Sequence, residues 1–201
     1  MREVLEVDCF APDAELVRHT VVNGGFETKQ GPDGAMYTGI SEHPVTHWPL
    51  IIEKWLGKKI VPRLSCFRLN LAGELPHSWV HSDLICAQYA SVLYLNTPQQ
   101  CYEHPSGTAF WKHNQLKVDR LATKEELESA GINWQEYYSR IEKDWKILEL
   151  WERVSFVPME WNKFVTYPTA LFHSRFPFDA FGSSPKDGRL IWICFYDLEV
   201  E

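Results

Sequence analysis

The sequence has no CxxC pair, no apolar run long enough to span a bilayer and no excess of basic charge. Its five cysteines, Cys9, Cys66, Cys86, Cys101 and Cys194, are odd in number and scattered, which argues against a disulfide framework and for a reducing compartment. A membrane-crossing helix needs about 20 apolar residues. Glu3, Glu6 and Asp8 stand where a secretory signal would be apolar, so the expected location is the cytoplasm. A formal net charge of −7 argues against non-specific nucleic-acid binding, which depends on a basic footprint. Internal repeats and low-complexity segments are also missing.

What is present is core-forming. Across 201 residues the chain is 45% hydrophobic and 14% aromatic, enough for one domain with a sizeable interior. Nine Trp and eleven Phe suit a barrel or sandwich with large inward side chains. Alternation predicts strands at residues 4–10, 61–71, 78–83, 90–96, 107–113, 154–157, 164–167, 171–175 and 189–197. Helices are predicted at 14–22, ended by Asn23-Gly24-Gly25, and at 48–56, ended by Gly57. Residues 26–43, rich in Gly, Pro and Asp, read as a loop over the barrel mouth, and Thr97-Pro98-Gln99-Gln100 reads as a turn. Two capping signals, Thr123-Lys124-Glu125-Glu126 and Asn133-Trp134-Gln135-Glu136, open a helical insertion at about 123–153 whose stripe of Tyr137, Ile141, Trp145, Leu148 and Trp151 reads as packing. Strands without βα alternation predict a mainly β fold, a barrel or jelly roll with peripheral helices. The segment 1–60 is expected to pack on a barrel at 61–197 as part of a single domain, 1–201.

His81 and Asp83, in Trp79-Val80-His81-Ser82-Asp83, are two residues apart and leave the same face of a strand. Two histidines and a carboxylate form the facial triad of non-haem Fe(II) oxygenases, which leaves positions open for substrate and O2. His173 is the candidate third ligand. Arg189, 16 residues later, opens the terminal strand with Ile191, Ile193 and Phe195 on its face. An arginine among apolar neighbours needs an anionic partner, and its fork of N–H donors fits a carboxylate. Arg175 is a second anion holder or a substrate contact. His77, His43, His47, His104 and His113 are not assigned as ligands.

The stretches His81-Ser82-Asp83, Ser91-Val92-Leu93-Tyr94-Leu95-Asn96, Gly107-Thr108-Ala109-Phe110, Leu171-Phe172-His173-Ser174-Arg175 and Gly188-Arg189-Leu190 resemble, in order, the Fe(II)- and 2-oxoglutarate-dependent oxygenases. The closer resemblance is to their prolyl-4-hydroxylase-like branch and, within it, to uncharacterised bacterial and phage proteins. It implies a double-stranded β-helix, the cupin-like form of the jelly roll, with Fe(II) on His81, Asp83 and His173. It also implies 2-oxoglutarate with its distal carboxylate on Arg189, assisted by Tyr94. The implied reaction is hydroxylation of a C–H bond of a peptidyl residue, amino acid or small metabolite, with O2 consumed and succinate and CO2 released. The alternative is a cupin-like metal-binding protein that needs no 2-oxoglutarate or has no turnover. The chain departs from many relatives at Ser106, at Leu69 and Asn70, and in the longer gap from His173 to Arg189.

Overall fold

The computed structural model describes residues 4–31, 34–74 and 79–199. Among the described residues ten strands make two facing antiparallel sheets: β1 (Leu5–Val7), β2 (Glu27–Gln30), β3 (Met36–Ser41), β4 (Ile60–Asn70), β5 (Tyr89–Tyr94), β6 (Gly107–His113), β7 (Trp151–Pro158), β8 (Phe164–Pro168), β9 (His173–Phe176) and β10 (Arg189–Leu198). The larger sheet runs β1-β8-β5-β10-β4-β3-β2 and the smaller β7-β6-β9. Residue His81 adds a single antiparallel bridge to His173 at the open side of β9. The arrangement is a jelly roll of the double-stranded β-helix type, as the alternation and the resemblance predict.

Strand β10 lies at the centre of the larger sheet, and its period of two sorts the core. Leu190, Trp192, Cys194 and Tyr196 face outward into a cluster under α1 (Ala14–Gly24) and α2 (Trp48–Leu56). Ile191 and Phe195, with Ala90, Val92, Tyr94, Val165 and Tyr167 in register beside them, face the smaller sheet. Trp48 is fully buried, edge-on to Trp192 at 5.1 Å and to Phe67 at 5.8 Å, and its indole N–H donates to Asp13 at 2.9 Å. Removing so large a buried ring costs about 3–5 kcal/mol. Trp48→Ala is therefore expected to lower the urea-unfolding free energy by about that amount without altering metal affinity, since the ring lies on the far side of the sheet from the cavity.

A third cluster covers the outer face of the smaller sheet. Ala109, Trp111, Trp151 and Phe172 meet Ile141, Tyr137 and Trp145 of the insertion, so the stripe packs as expected except at Leu148, which is exposed. The insertion is shorter than predicted. Its helices are α4 (Lys124–Ser129) and α5 (Trp134–Asp144), and Trp151 begins β7 rather than ending a helix.

Three further expectations are corrected. Residues 26–43 are not a loop, because β2 and β3 form a hairpin that extends the larger sheet through Ile40 and Ser41. Gly39 there has φ +71°, and a Cβ on it would lie 2.2 Å from the Leu69 carbonyl, so only glycine fits. Residues 97–100 open α3 (Pro98–Glu103) with a complete capping box between Thr97 and Gln100 instead of a turn. The strand predicted at 78–83 is reduced to the bridge at His81, followed by irregular chain; His77 and Ser78 lie outside the described residues.

Candidate metal centre

The segment carrying His81 and Asp83 is tied to its neighbours by backbone hydrogen bonds. His81 and His173 exchange N–H···O=C bonds of 3.0 and 2.9 Å, and Asp83 N–H donates to the Thr169 carbonyl at 3.0 Å. On the other side, the N–H groups of Trp79 and Val80 both point at the Trp145 carbonyl, 3.2 and 3.3 Å away. The insertion thus braces the strip that carries two candidate ligands.

These bonds bring together the three residues that the sequence nominates. One ligand atom from each of His81, Asp83 and His173 lies within 4.8 Å of the others. His81 Nε2 is 3.9 Å from Asp83 Oδ1, and His173 Nε2 is 3.1 Å from Asp83 Oδ2. His173 is nearly buried, whereas His81 and Asp83 are partly open to the cavity.

Local chemistry suits a cation here. His173 Nδ1 is 2.9 Å from the Leu171 carbonyl, which can only accept, so Nδ1 carries a proton. In the neutral ring the Nε2 lone pair then faces a carboxylate oxygen, and two acceptors at 3.1 Å need a proton or a metal ion between them. Nδ1–H bonded to a carbonyl is also how a metal-ligating histidine is held in orientation. Burial opposes the charge on Asp83. The hydrogen bond and charge of His173, with His81 behind it, outweigh burial and hold the carboxyl below the usual carboxylate range.

Across a cavity of about 450 Å³ stands Arg189, 3% exposed. Among the described residues no carboxylate pairs with it. Its Nη1 donates to Asn70 Oδ1 at 3.2 Å, its Nε is buried without a hydrogen-bond partner, and its guanidinium lies 5.8 Å from the Tyr94 ring centre. Burial pulls its pKa down to about 10, and the nearby Arg175 and Arg68 push in the same direction. Tyr94 is fully buried, and its hydroxyl lies 2.6 Å from Thr108 Oγ1. Arg175 is placed beside this group but is engaged elsewhere: its Nε donates to the Phe178 carbonyl at 3.0 Å and its Nη1 is 4.0 Å from Glu74 Oε2.

The fold adds residues that sequence reasoning did not single out. Tyr167 sits edge-on to His173 at 4.8 Å, with its pKa well above the ordinary tyrosine value through burial and then the charge of Asp83. Asn70 joins Arg189 to Glu74, whose Oε2 accepts from Asn70 Nδ2 at 2.9 Å, while Glu74 Oε1 pairs closely with Arg68. The available signal was register: Asn70 is the strand partner of Arg189, and Arg68 that of Ile191. The walls between these groups are apolar, with Val92, Ile191, Ile193 and Phe195 on one side and Trp79, Trp145 and Phe178 at the rim.

Solved structures share this architecture. SnoK, a non-heme α-ketoglutarate-dependent carbocyclase from nogalamycin biosynthesis, superposes with a TM-score of 0.53 and 14% identity, over 98% of this chain and 80% of SnoK. SnoN, a non-heme α-ketoglutarate-dependent epimerase from the same biosynthesis, gives 0.50 and 14%, over 96% of this chain and 77% of SnoN. AviO1 from Streptomyces viridochromogenes Tue57 gives 0.50 and 12%, over 97% and 89%. At such identities the likeness is one of fold: this chain has the fold of non-haem iron, 2-oxoglutarate-dependent enzymes. No curated protein matches the sequence. Residues 63–196, the greater part of the chain, match the family described as a family of unknown function, DUF6445, and the protein belongs to that family.

Proposed function

We propose that the protein is an Fe(II)- and 2-oxoglutarate-dependent dioxygenase that hydroxylates a C–H bond of a small or peptidyl substrate. The observation that carries the reading is a His–Asp–His triad facing, across one cavity, a buried arginine with no carboxylate of its own among the described residues. His81, Asp83 and His173 would hold the metal, and Arg189 the distal carboxylate of the co-substrate. When bound, Fe(II), 2-oxoglutarate and O2 couple decarboxylation to succinate and CO2 with hydroxylation of the second substrate.

The chain's own contribution is placement and exclusion of water. The Leu171 carbonyl fixes His173 with Nε2 toward the cavity. Thr108 lines the cavity with the buried Tyr94 hydroxyl bonded behind it, and Asn70 Oδ1 accepts from the Arg189 guanidinium. Ile191, Ile193 and Val92 keep the space between metal and arginine apolar, which strengthens every charged contact inside it. Within the superfamily, the ordered motifs His81-Ser82-Asp83 and Gly188-Arg189-Leu190 support the prolyl-hydroxylase-like branch. Residues 1–201 are read as one working unit. All five cysteines are free thiols, which supports a reducing, cytoplasmic setting.

Oxygen uptake tests the reading. With Fe(II) and 2-oxoglutarate the protein is expected to consume O2 and form succinate in equal amounts, and omission of 2-oxoglutarate should stop both. Equal oxygen consumption with and without 2-oxoglutarate would overturn it.

A further inference from the structure

Beside the proposed co-substrate arginine the cavity holds two more guanidinium groups that the reaction above does not use. Arg68, on β4, and Arg175, on β9, reach toward each other from the two sheets and share one carboxylate, Glu74. Both are largely withdrawn from water, with side chains 11% and 14% exposed. Among the described residues Arg68 Nη1 is buried with no hydrogen-bond partner, although its guanidinium also lies 5.4 Å from the Tyr37 ring centre.

A tally of charge around the cavity says what is missing. Among the described residues four cations line it, Lys29, Arg68, Arg175 and Arg189, against the carboxylates Glu42, Glu74 and Asp83. Lys29 pairs with Glu42 at 2.9 Å. On the proposed function, Asp83 and the keto-side carboxylate of 2-oxoglutarate neutralise a divalent metal, and the distal carboxylate neutralises Arg189. Arg68 and Arg175 then remain with Glu74 alone, one positive charge in excess. Asp179 also acts on Arg175, but it is exposed and water screens it. Uncompensated charge in a partly desolvated site is costly, so the excess points to a ligand of one negative charge.

We propose that the primary substrate is a small carboxylic acid, whose single carboxylate seats between Arg68 and Arg175 beside Glu74. This inference rests on the proposed function, since it takes the metal and Arg189 as already occupied. Arg175 Nε and Nη2 both donate to the Phe178 carbonyl, so the carboxylate would take its N–H donors from Arg68 and from Arg175 Nη1, and a monoanion closes the charge tally where a phosphate dianion would overshoot it. The rest of such a substrate would lie against Trp79, Phe178 and Trp145. A 450 Å³ space falls within the range of small-molecule sites and leaves room beyond a five-carbon co-substrate.

The test is calorimetric titration of the protein, kept anaerobic with Mn(II) and saturating 2-oxoglutarate. The probes are benzoate, 3-phenylpropionate and hexanoate, each with its primary amide, and phenylphosphonate. At least one carboxylate is expected to bind tenfold or more tightly than its amide and more tightly than phenylphosphonate. Arg68→Gln and Arg175→Gln should each weaken it tenfold or more, while the direct affinity for 2-oxoglutarate moves less than threefold. Glu74→Gln, which keeps the shape and the Asn70 contact but removes the competing charge, should tighten it about fivefold. The proposal is overturned if no carboxylate is preferred over its amide, if phenylphosphonate binds best, or if Glu74→Gln weakens the carboxylate. It is also overturned if the two arginine variants lose 2-oxoglutarate as strongly as the probe, which would assign them to the co-substrate. Absence of 2-oxoglutarate binding in the wild-type protein would instead sink the proposed function, a result that the direct 2-oxoglutarate titration reports separately.

Discussion

Asp83→Ala is expected to lower Fe(II) affinity by at least roughly 100-fold, above the 10–100-fold typical of losing a group that only supports a ligand. Asp83 is the shared vertex of the triad, with one oxygen toward His81 and the other toward His173. Its loss removes the only anionic donor and leaves two neutral imidazoles, too few to hold a hard divalent ion against water. The fold should survive, because the segment is anchored by the Asp83 and His81 backbone and by Ser82 Oγ, which donates to the Thr169 carbonyl at 3.0 Å, not by the Asp83 side chain. Anaerobic metal titration beside urea unfolding separates the two effects. Loss of metal with an unchanged unfolding midpoint is the expected pattern, and unchanged Fe(II) affinity would remove the triad from the account.

Arg189→Met should leave Fe(II) binding within twofold and weaken 2-oxoglutarate by about 30- to 5000-fold. That range corresponds to the roughly 2–5 kcal/mol lost when one member of a buried, hydrogen-bonded charge pair is removed. The same substitution is expected to leave the unfolding free energy of the ligand-free protein near the wild-type value or to raise it. A buried guanidinium with an unpartnered Nε and a pKa drawn down to about 10 is a burden on the folded chain, and methionine fills similar volume without charge. The gain is offset in part because Asn70 Oδ1 loses its donor. A pattern of lost binding with kept stability marks a residue retained for a ligand. Reduced stability with unchanged 2-oxoglutarate affinity would make Arg189 a structural residue and favour the cupin-like alternative.

Much of this site was legible because it is encoded locally. The alternation in β10 announces which residues share the face of Arg189, and the structure sorts Leu190, Trp192, Cys194 and Tyr196 to the other side. His81 and Asp83 stand out by spacing, and their meeting with His173 follows from a strand order that the resemblance supplies. What stayed hidden depends on register between distant strands. Nothing local in Arg68-Leu69-Asn70 says that the first and third side chains will face Arg189 and Glu74, and nothing in Val165-Thr166-Tyr167 announces a ring against His173. The end of the insertion is hidden from periodicity because Leu148 and Trp151 keep the i, i+3 spacing of a helix, while the chain makes one 3-10 turn at Leu148–Leu150 and then enters β7. The hairpin of β2 and β3 was missed because its glycines at positive φ look like loop residues, and its strands lie at a sheet edge with half-exposed faces.

On the proposed function, one cavity would join a metal held by His81, Asp83 and His173 to a 2-oxoglutarate held by Arg189. Anaerobic titration with Fe(II) and then with 2-oxoglutarate, following the visible charge-transfer band of a chelated keto acid, tests it most directly. A band is expected in the wild-type protein, none in Asp83→Ala, and one in Arg189→Met only at far higher 2-oxoglutarate. Fe(II) binding with no band at any 2-oxoglutarate concentration would contradict it.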